Sequence, residues 1–271
     1  MNYAEFSYAN EDHPRLKRWV IRSIEGLSGR RQLLRMYEIW RTSTVETSPY
    51  IWSELLGLIN LNVAVTGAEW PPQALPDGPL VLIANHPYGI GDGLAILALA
   101  EQLGRPFKIL INNELLKVPE VRPFSLPVDF EETKQALKTN METRKQALRL
   151  LNEGTTIIVF PGGGVATASK PFGRAEELPW KTFTAKMIRS SKATVLPLYF
   201  DGQNSWLFHL VSRYSLTLRL ALLVREFRKI LGSAITARIG EPIAYETLAA
   251  LGDQKQITDY LHSQVLGLRQ L

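Results

Sequence analysis

An imidazole and a carboxylate six positions apart, His86 and Asp92, sit in the stretch Asn85-His-Pro-Tyr-Gly-Ile-Gly-Asp-Gly93. A glycine-rich turn of this length can fold back and bring the carboxylate to the ring. A paired carboxylate fixes the imidazole tautomer and stabilises the imidazolium once the ring accepts a proton, so His86 is a candidate general base at neutral pH. The plainer alternative is an aspartate that caps the following helix and a histidine that bonds only backbone.

A second glycine-rich stretch reads Phe160-Pro-Gly-Gly-Gly-Val-Ala-Thr167. Glycine lets a backbone approach a ligand closely, so N–H groups around Gly162, Gly163 and Gly164 can meet a developing oxyanion, with Asn85 as a further polar contact. A tight turn with no ligand is the alternative. Cations for an anionic group on a substrate are available at Lys117, Arg122, Lys170 and Arg174, each of which also reads as an ordinary solvated surface charge.

Both stretches follow apolar runs with strand character. Pro79-Leu-Val-Leu-Ile-Ala84 is a continuous apolar segment of the buried-strand kind, and Thr155–Phe160 is rich in β-branched residues. Further strands are expected at Phe107–Ile111, Thr194–Phe200 and Ile235–Ile239. Helices are expected over 93–102, 131–153 and 179–190. This alternation predicts an α/β fold with a mixed, largely parallel sheet flanked by helices, and in open sheets of that kind ligands bind beyond the carboxyl ends of the strands. The first 64 residues read as a helical segment packed on or beside the core, opened by Pro14, with residues 65–271 as the α/β domain. Its basic amphipathic stretches suit either a helical cap or a membrane interface.

Composition narrows the chemistry. The chain has 271 residues, 45% of them hydrophobic, and a net charge of +5, an ordinary globular balance. Having no cysteine, it has no disulfide framework, thiolate metal site or cysteine nucleophile, and no metal-ligand cluster appears in the pattern. Gly89-Ile-Gly-Asp-Gly93 has the wrong glycine spacing for a dinucleotide fingerprint, and the second loop lacks the Lys-Ser/Thr ending of a phosphate-binding loop. The basic residues lie among leucines rather than stacking aromatics, which argues against a nucleic-acid partner. No apolar run reaches the ~20 residues of a spanning helix. The stretch Trp206–Lys229 mixes leucines and aromatics with Arg213, Arg219, Arg225 and Arg228, a pattern that suits docking on anionic lipid or, alternatively, a core element with a basic edge. His13, His209 and His262 have no motif around them.

Four blocks, in order, resemble the glycerolipid and lysophospholipid acyltransferases. Asn-His-Pro-Tyr-Gly-Ile-Gly-Asp is similar to their N-H-x4-D block with one extra residue, a spacing that resembles the hemolysin-like bacterial branch. Phe160-Pro-Gly-Gly163 is similar to F-P-E-G. Val195-Leu-Pro-Leu198 resembles their late V-P strand, and Arg238-Ile-Gly-Glu-Pro-Ile243 their terminal G-x-P-I segment. The resemblance runs from about Val65 to Ile243.

It implies a glycerol-3-phosphate acyltransferase-like fold with an N-terminal helical cap. It also implies transfer of an acyl chain from an acyl-ACP or acyl-CoA thioester to a lysolipid hydroxyl, with no bound cofactor. His86 is then the base, assisted by Asp92. The F-P-E-G-T-R block has lost its glutamate (Gly162) and its arginine (Val165), which points away from lysophosphatidic acid and towards an acceptor such as lyso-ornithine lipid. A peripheral enzyme on the cytoplasmic face of the inner membrane is expected, and the alternative is a non-catalytic lipid-binding protein on the same fold.

Overall fold

The computed structural model describes residues 29–75, 77–129, 133–170 and 172–270. The helix expected to open at Pro14, and His13, lie outside them. The chain folds as α1 (Arg30–Ser43), α2 (Ile51–Leu58), β1 (Asn62–Gly67), β2 (Leu80–Ala84), α3 (Ile90–Glu101), β3 (Phe107–Asn112), two 3₁₀ turns, β4 (Ser125–Val128), α4 (Lys134–Asn152) and β5 (Thr156–Val159). It continues through α5 (Phe183–Ser191), β6 (Thr194–Phe200), α6 (Trp206–Ser212), α7 (Leu216–Ile230), β7 (Ala234–Ile239), α8 (Tyr245–Ala249) and α9 (Gln254–Gly267).

The seven strands form one sheet in the order β1-β7-β6-β2-β5-β3-β4. Every neighbouring pair is parallel except β6 with β7. β2 lies at the centre with all five residues buried. Alternate side chains of the central strands feed two separate cores. Leu80, Leu82, Leu196, Leu198 and Phe200 face α1, α2 and α3, with Trp40, Trp52 and Ile96 among the largest buried groups there. Val81, Ile83, Val159 and Val195 face the opposite side, against Leu151 of α4, Ile188 of α5 and Leu261 of α9.

Two polar ties hold the N-terminal helices to the first of these cores. The Trp40 indole N–H donates to the Ile51 carbonyl at 2.7 Å. The Glu101 carboxylate, at the end of α3, accepts the Trp52 and Ser53 N–H groups at 2.8 and 2.9 Å, capping the positive end of α2.

The expected strands are all present. Two edge strands escaped the sequence pattern. β1 is mostly solvent-facing and half polar, and it straddles the boundary expected at 64/65. β4 is four residues long and carries Pro127, which an edge tolerates and a sequence pattern reads as a break. The helix expected from residue 93 begins at Ile90. The one expected from residue 179 begins at Phe183, because the preceding residues run extended past the glycine loop, where the Lys181 N–H donates to the Pro161 carbonyl at 3.2 Å. The long apolar stretch from Trp206 divides into α6 and α7, with the Ser215 hydroxyl capping α7.

Candidate active site

The connection from β2 to α3 carries both groups of the expected pair. His86 lies two residues beyond the end of β2, and Asp92 lies in the first turn of α3. The His86 Nδ1 and Asp92 Oδ1 atoms are 2.9 Å apart, the carboxylate fully buried and the imidazole 18% exposed. The approach is a close ion-pair contact whose angle falls short of a hydrogen bond, and neither atom has a hydrogen-bond partner among the described residues. Asp92 Oδ2 accepts the Tyr88 N–H at 2.8 Å, so the same carboxylate closes the turn between them. Gly89, at φ +85°, provides the reversal.

His86 is fixed on every side. Its ring stacks on Phe160 at 4.1 Å between centroids. Its carbonyl accepts the Ala166 N–H at 2.8 Å. Its N–H donates to Glu177 Oε1 at 2.6 Å, and Glu177 Oε2 accepts the Trp180 indole N–H, also at 2.6 Å. Burial holds the Glu177 carboxyl above its ordinary range, against the pull of these two donors and of the nearby imidazole. With Nδ1 turned to Asp92, Nε2 is the nitrogen left for a substrate.

The ring stands at the wall of a cavity of about 610 Å³ lined by both glycine-rich loops, by Ile109 and Ile111 of β3, and by residues of α4, α5 and α7. Most of the lining is apolar. A second, shallower cleft of about 460 Å³ between α2, β1 and α3 holds no titratable side chain. Among the described residues there is no group of three or more histidine, aspartate or glutamate side chains of the kind that holds a metal.

The glycines divide their work. Gly163 and Gly164 line the cavity. Gly163, at φ +71°, donates its N–H to the Phe160 carbonyl at 2.9 Å and closes the turn. Gly162 is buried beneath the next segment, where a Cβ would lie 3.1 Å from the Leu178 carbonyl oxygen. Among the described residues, the N–H groups of Gly164 and Val165 make no hydrogen bond within the protein.

Asn85 does not reach the cavity, contrary to expectation. Its amide is consumed by β6, with Nδ2 donating to the Phe200 carbonyl at 2.9 Å and Oδ1 accepting the Phe200 N–H at 2.6 Å. The four expected cations also lie away from the cavity lining. Lys117 and Arg122 are exposed on the 3₁₀ turns after β3, where Arg122 donates to the Leu116 carbonyl. Lys170 and Arg174 are exposed beyond the glycine loop.

Arg144, Lys181 and Arg219 line the cavity instead. Sequence reasoning missed them for want of a local motif, since they come from α4, from the segment before α5, and from α7. Arg144 sits over the Phe183 ring at 5.0 Å. Arg219 donates to the Val165 carbonyl. Its guanidinium is therefore held by the glycine loop. Lys229 likewise turns to Glu226, at 3.0 Å.

The acyltransferase family model matches residues 62–201, 140 of the 271 residues, and spans both glycine-rich loops. Two curated relatives carry the name lyso-glycine lipid O-acyltransferase. One, from Phocaeicola vulgatus, is 26% identical over 200 residues, covering 70% of this chain and 67% of the relative. The other, from Bacteroides thetaiotaomicron, is 27% identical over 224 residues, covering 78% and 76%. The crystal structure of the 1-acyl-sn-glycerophosphate acyltransferase PlsC of Thermotoga maritima has the same fold. It superposes with a TM-score of 0.55 over 93% of this chain and 92% of that one, at 17% identity.

Proposed function

This chain belongs to the acyltransferase family, and from that membership we propose that it is a lysolipid O-acyltransferase using His86 as general base. The acceptor we infer is a lyso-aminolipid, in line with the lyso-glycine lipid named for the two curated relatives, with lyso-ornithine lipid as a further candidate. The acyl donor is an acyl-ACP or acyl-CoA thioester. One observation carries this reading: the 2.9 Å contact of His86 with a fully buried Asp92, at the wall of a largely apolar cavity.

His86 Nε2 takes the proton of the acceptor hydroxyl as its oxygen bonds to the thioester carbonyl carbon. Asp92 holds the ring by Nδ1 and balances the imidazolium. The tetrahedral oxyanion is met by the N–H groups of Gly164 and Val165. Its collapse breaks the C–S bond, the imidazolium returns the proton to the departing thiolate, and an ester and a free thiol leave. No acyl-enzyme is required. Arg144 and Lys181, at the α4–α5 side of the cavity, are suited to a carboxylate or phosphate on either substrate.

Membrane contact is part of the proposal. No helix among the described residues is long and apolar enough to cross a bilayer. Phe172, 85% exposed, stacks on Trp206, 49% exposed, at 5.5 Å, and the exposed cations Lys170 and Arg174 stand two positions to either side of Phe172 in the sequence. Two aromatics with flanking positive charge suit the interface of an anionic leaflet, and we place the enzyme at the cytoplasmic face of the inner membrane.

The test is thioester cleavage by purified protein with a panel of lysolipids presented in anionic vesicles. The expected result is thiol release dependent on a lyso-aminolipid and abolished in His86→Ala. Release that survives the substitution removes His86 as base. Vesicle binding without turnover on any lysolipid supports a lipid-binding protein instead.

A further inference from the structure

Glu177 lies in none of the blocks that resemble the family, yet it is the side chain that grips the backbone of the candidate base. It arrives by a detour. After the glycine loop the chain leaves the site at Thr167 and returns at Glu176, and the two residues exchange hydrogen bonds of 3.0 and 3.1 Å. The next residue, Glu177, accepts the His86 N–H at 2.6 Å. The segment that carries it packs flat on Gly162, a position whose lack of a side chain leaves room for the Leu178 backbone and the Trp180 ring. Trp180 then donates to the second carboxylate oxygen at 2.6 Å.

We propose that Glu177 is a positioning residue for His86. It sets the backbone at residue 86, and through it the angle at which the ring meets Asp92 and the cavity. It also places a second carboxylate beside the imidazolium that forms during proton transfer. The proposal rests on the reading of His86 as general base. Among the described residues, Asp92 from α3, Glu177 from the segment before α5, and Arg219 from α7, the last held on the Val165 carbonyl, are the charged groups about this ring and its loop, and Arg144 and Lys181 stand on the wall of the cavity it faces.

Glu177→Gln is the informative variant. Glutamine keeps an acceptor for the His86 N–H, loses the charge, and leaves the Trp180 indole without a carboxylate. Trp180→Phe removes the second donor while the charge stays. For Glu177→Gln we expect kcat to fall about 10–100-fold, with KM for both substrates within about threefold and the melting temperature little changed. The acid limb of the pH–rate profile should move to lower pH, because a neighbouring negative charge no longer favours imidazolium. Trp180→Phe should lower kcat less and leave the acid limb in place.

A readout independent of turnover is the NMR titration of the His86 ring, assigned by its loss in His86→Ala. The midpoint should move to lower pH in Glu177→Gln. A moved midpoint in a protein that acylates nothing upholds the positioning role and rejects the acyl-transfer reading. An unmoved midpoint, or a fall in stability or rise in KM with the acid limb unchanged, overturns the proposal and leaves Glu177 a structural contact.

Discussion

Asn85 and Phe200, 115 residues apart in sequence, exchange two hydrogen bonds that close the carboxyl ends of β2 and β6 on each other. The residue before the candidate base is therefore a clamp. Asn85→Ala leaves a buried backbone N–H and C=O unpaired, at a cost of about 1–3 kcal/mol each. A melting temperature lower by roughly 5–12 °C is expected, with a smaller effect on kcat at permissive temperature. A variant that melts normally and has lost turnover would return Asn85 to the chemistry.

Removing either member of the His86–Asp92 pair tests the proposed mechanism. His86→Ala should lower kcat by about 10²–10⁴-fold. Asp92→Asn keeps an oxygen for the Tyr88 N–H and cannot balance an imidazolium, so a loss of at least about 10²-fold is expected. Circular dichroism should show both variants folded, because neither change breaks a strand.

The loop after β6 supports the base through Tyr88, whose hydroxyl donates to the Asp201 carbonyl at 2.9 Å. Gly202, at φ +119°, would place a Cβ 1.8 Å from that hydroxyl. Gly202→Ala should cost about 1–3 kcal/mol in backbone strain alone and lower kcat about tenfold by displacing the residue two positions after His86. Pairing it with Tyr88→Ala removes the collision, so the double variant should lose less stability than the sum of the singles. Strict additivity would show that the two residues are not coupled.

His209 gives a pH dependence of stability with a defined sign. It is fully buried, its Nδ1 accepts the Ala168 N–H at 3.3 Å, and burial pushes its pKa below the ordinary 6.5. The folded state thus binds fewer protons than the unfolded one. The stability this contributes is complete above pH 6.5 and is lost as pH falls through the lowered value. Glu226 opposes the shift and Arg219 adds to it. The carboxyls of Glu101 and the half-buried Glu177, both raised by desolvation, act in the opposite sense, so the comparison must be with a variant. The stability difference between wild type and His209→Gln should be larger at pH 7.5 than at pH 5.5. A difference constant over that range would exclude a titrating His209.

The parts of this molecule visible in the sequence are those encoded locally. Leu80–Ala84 and Val195–Phe200 are uninterrupted runs of hydrophobic residues because both faces of each central strand are covered. His86 and Asp92 were identifiable because one loop holds both. Glu177, Arg144 and Arg219 were not, since each reaches the site from a distant element and nothing in its own neighbourhood marks it. Lys117, Arg122, Lys170 and Arg174 illustrate the converse. A cation close in sequence to a loop that lines the cavity can still project outward, because direction is decided by packing. The edge strands were hidden for a related reason: with one side in solvent, β1 and β4 need little apolar content.

Much of the cavity wall comes from parts of the chain remote from the reacting pair. The imidazole and its carboxylate share a single strand exit, whereas the enclosing surface beyond the two glycine-rich loops is assembled mainly from β3, α4, α5 and α7. Variation can therefore accumulate in the enclosure without touching the pair, and a descendant can exchange one lipid for another while its proton chemistry is inherited intact. Diversification in such a lineage should be recorded in those four outlying elements.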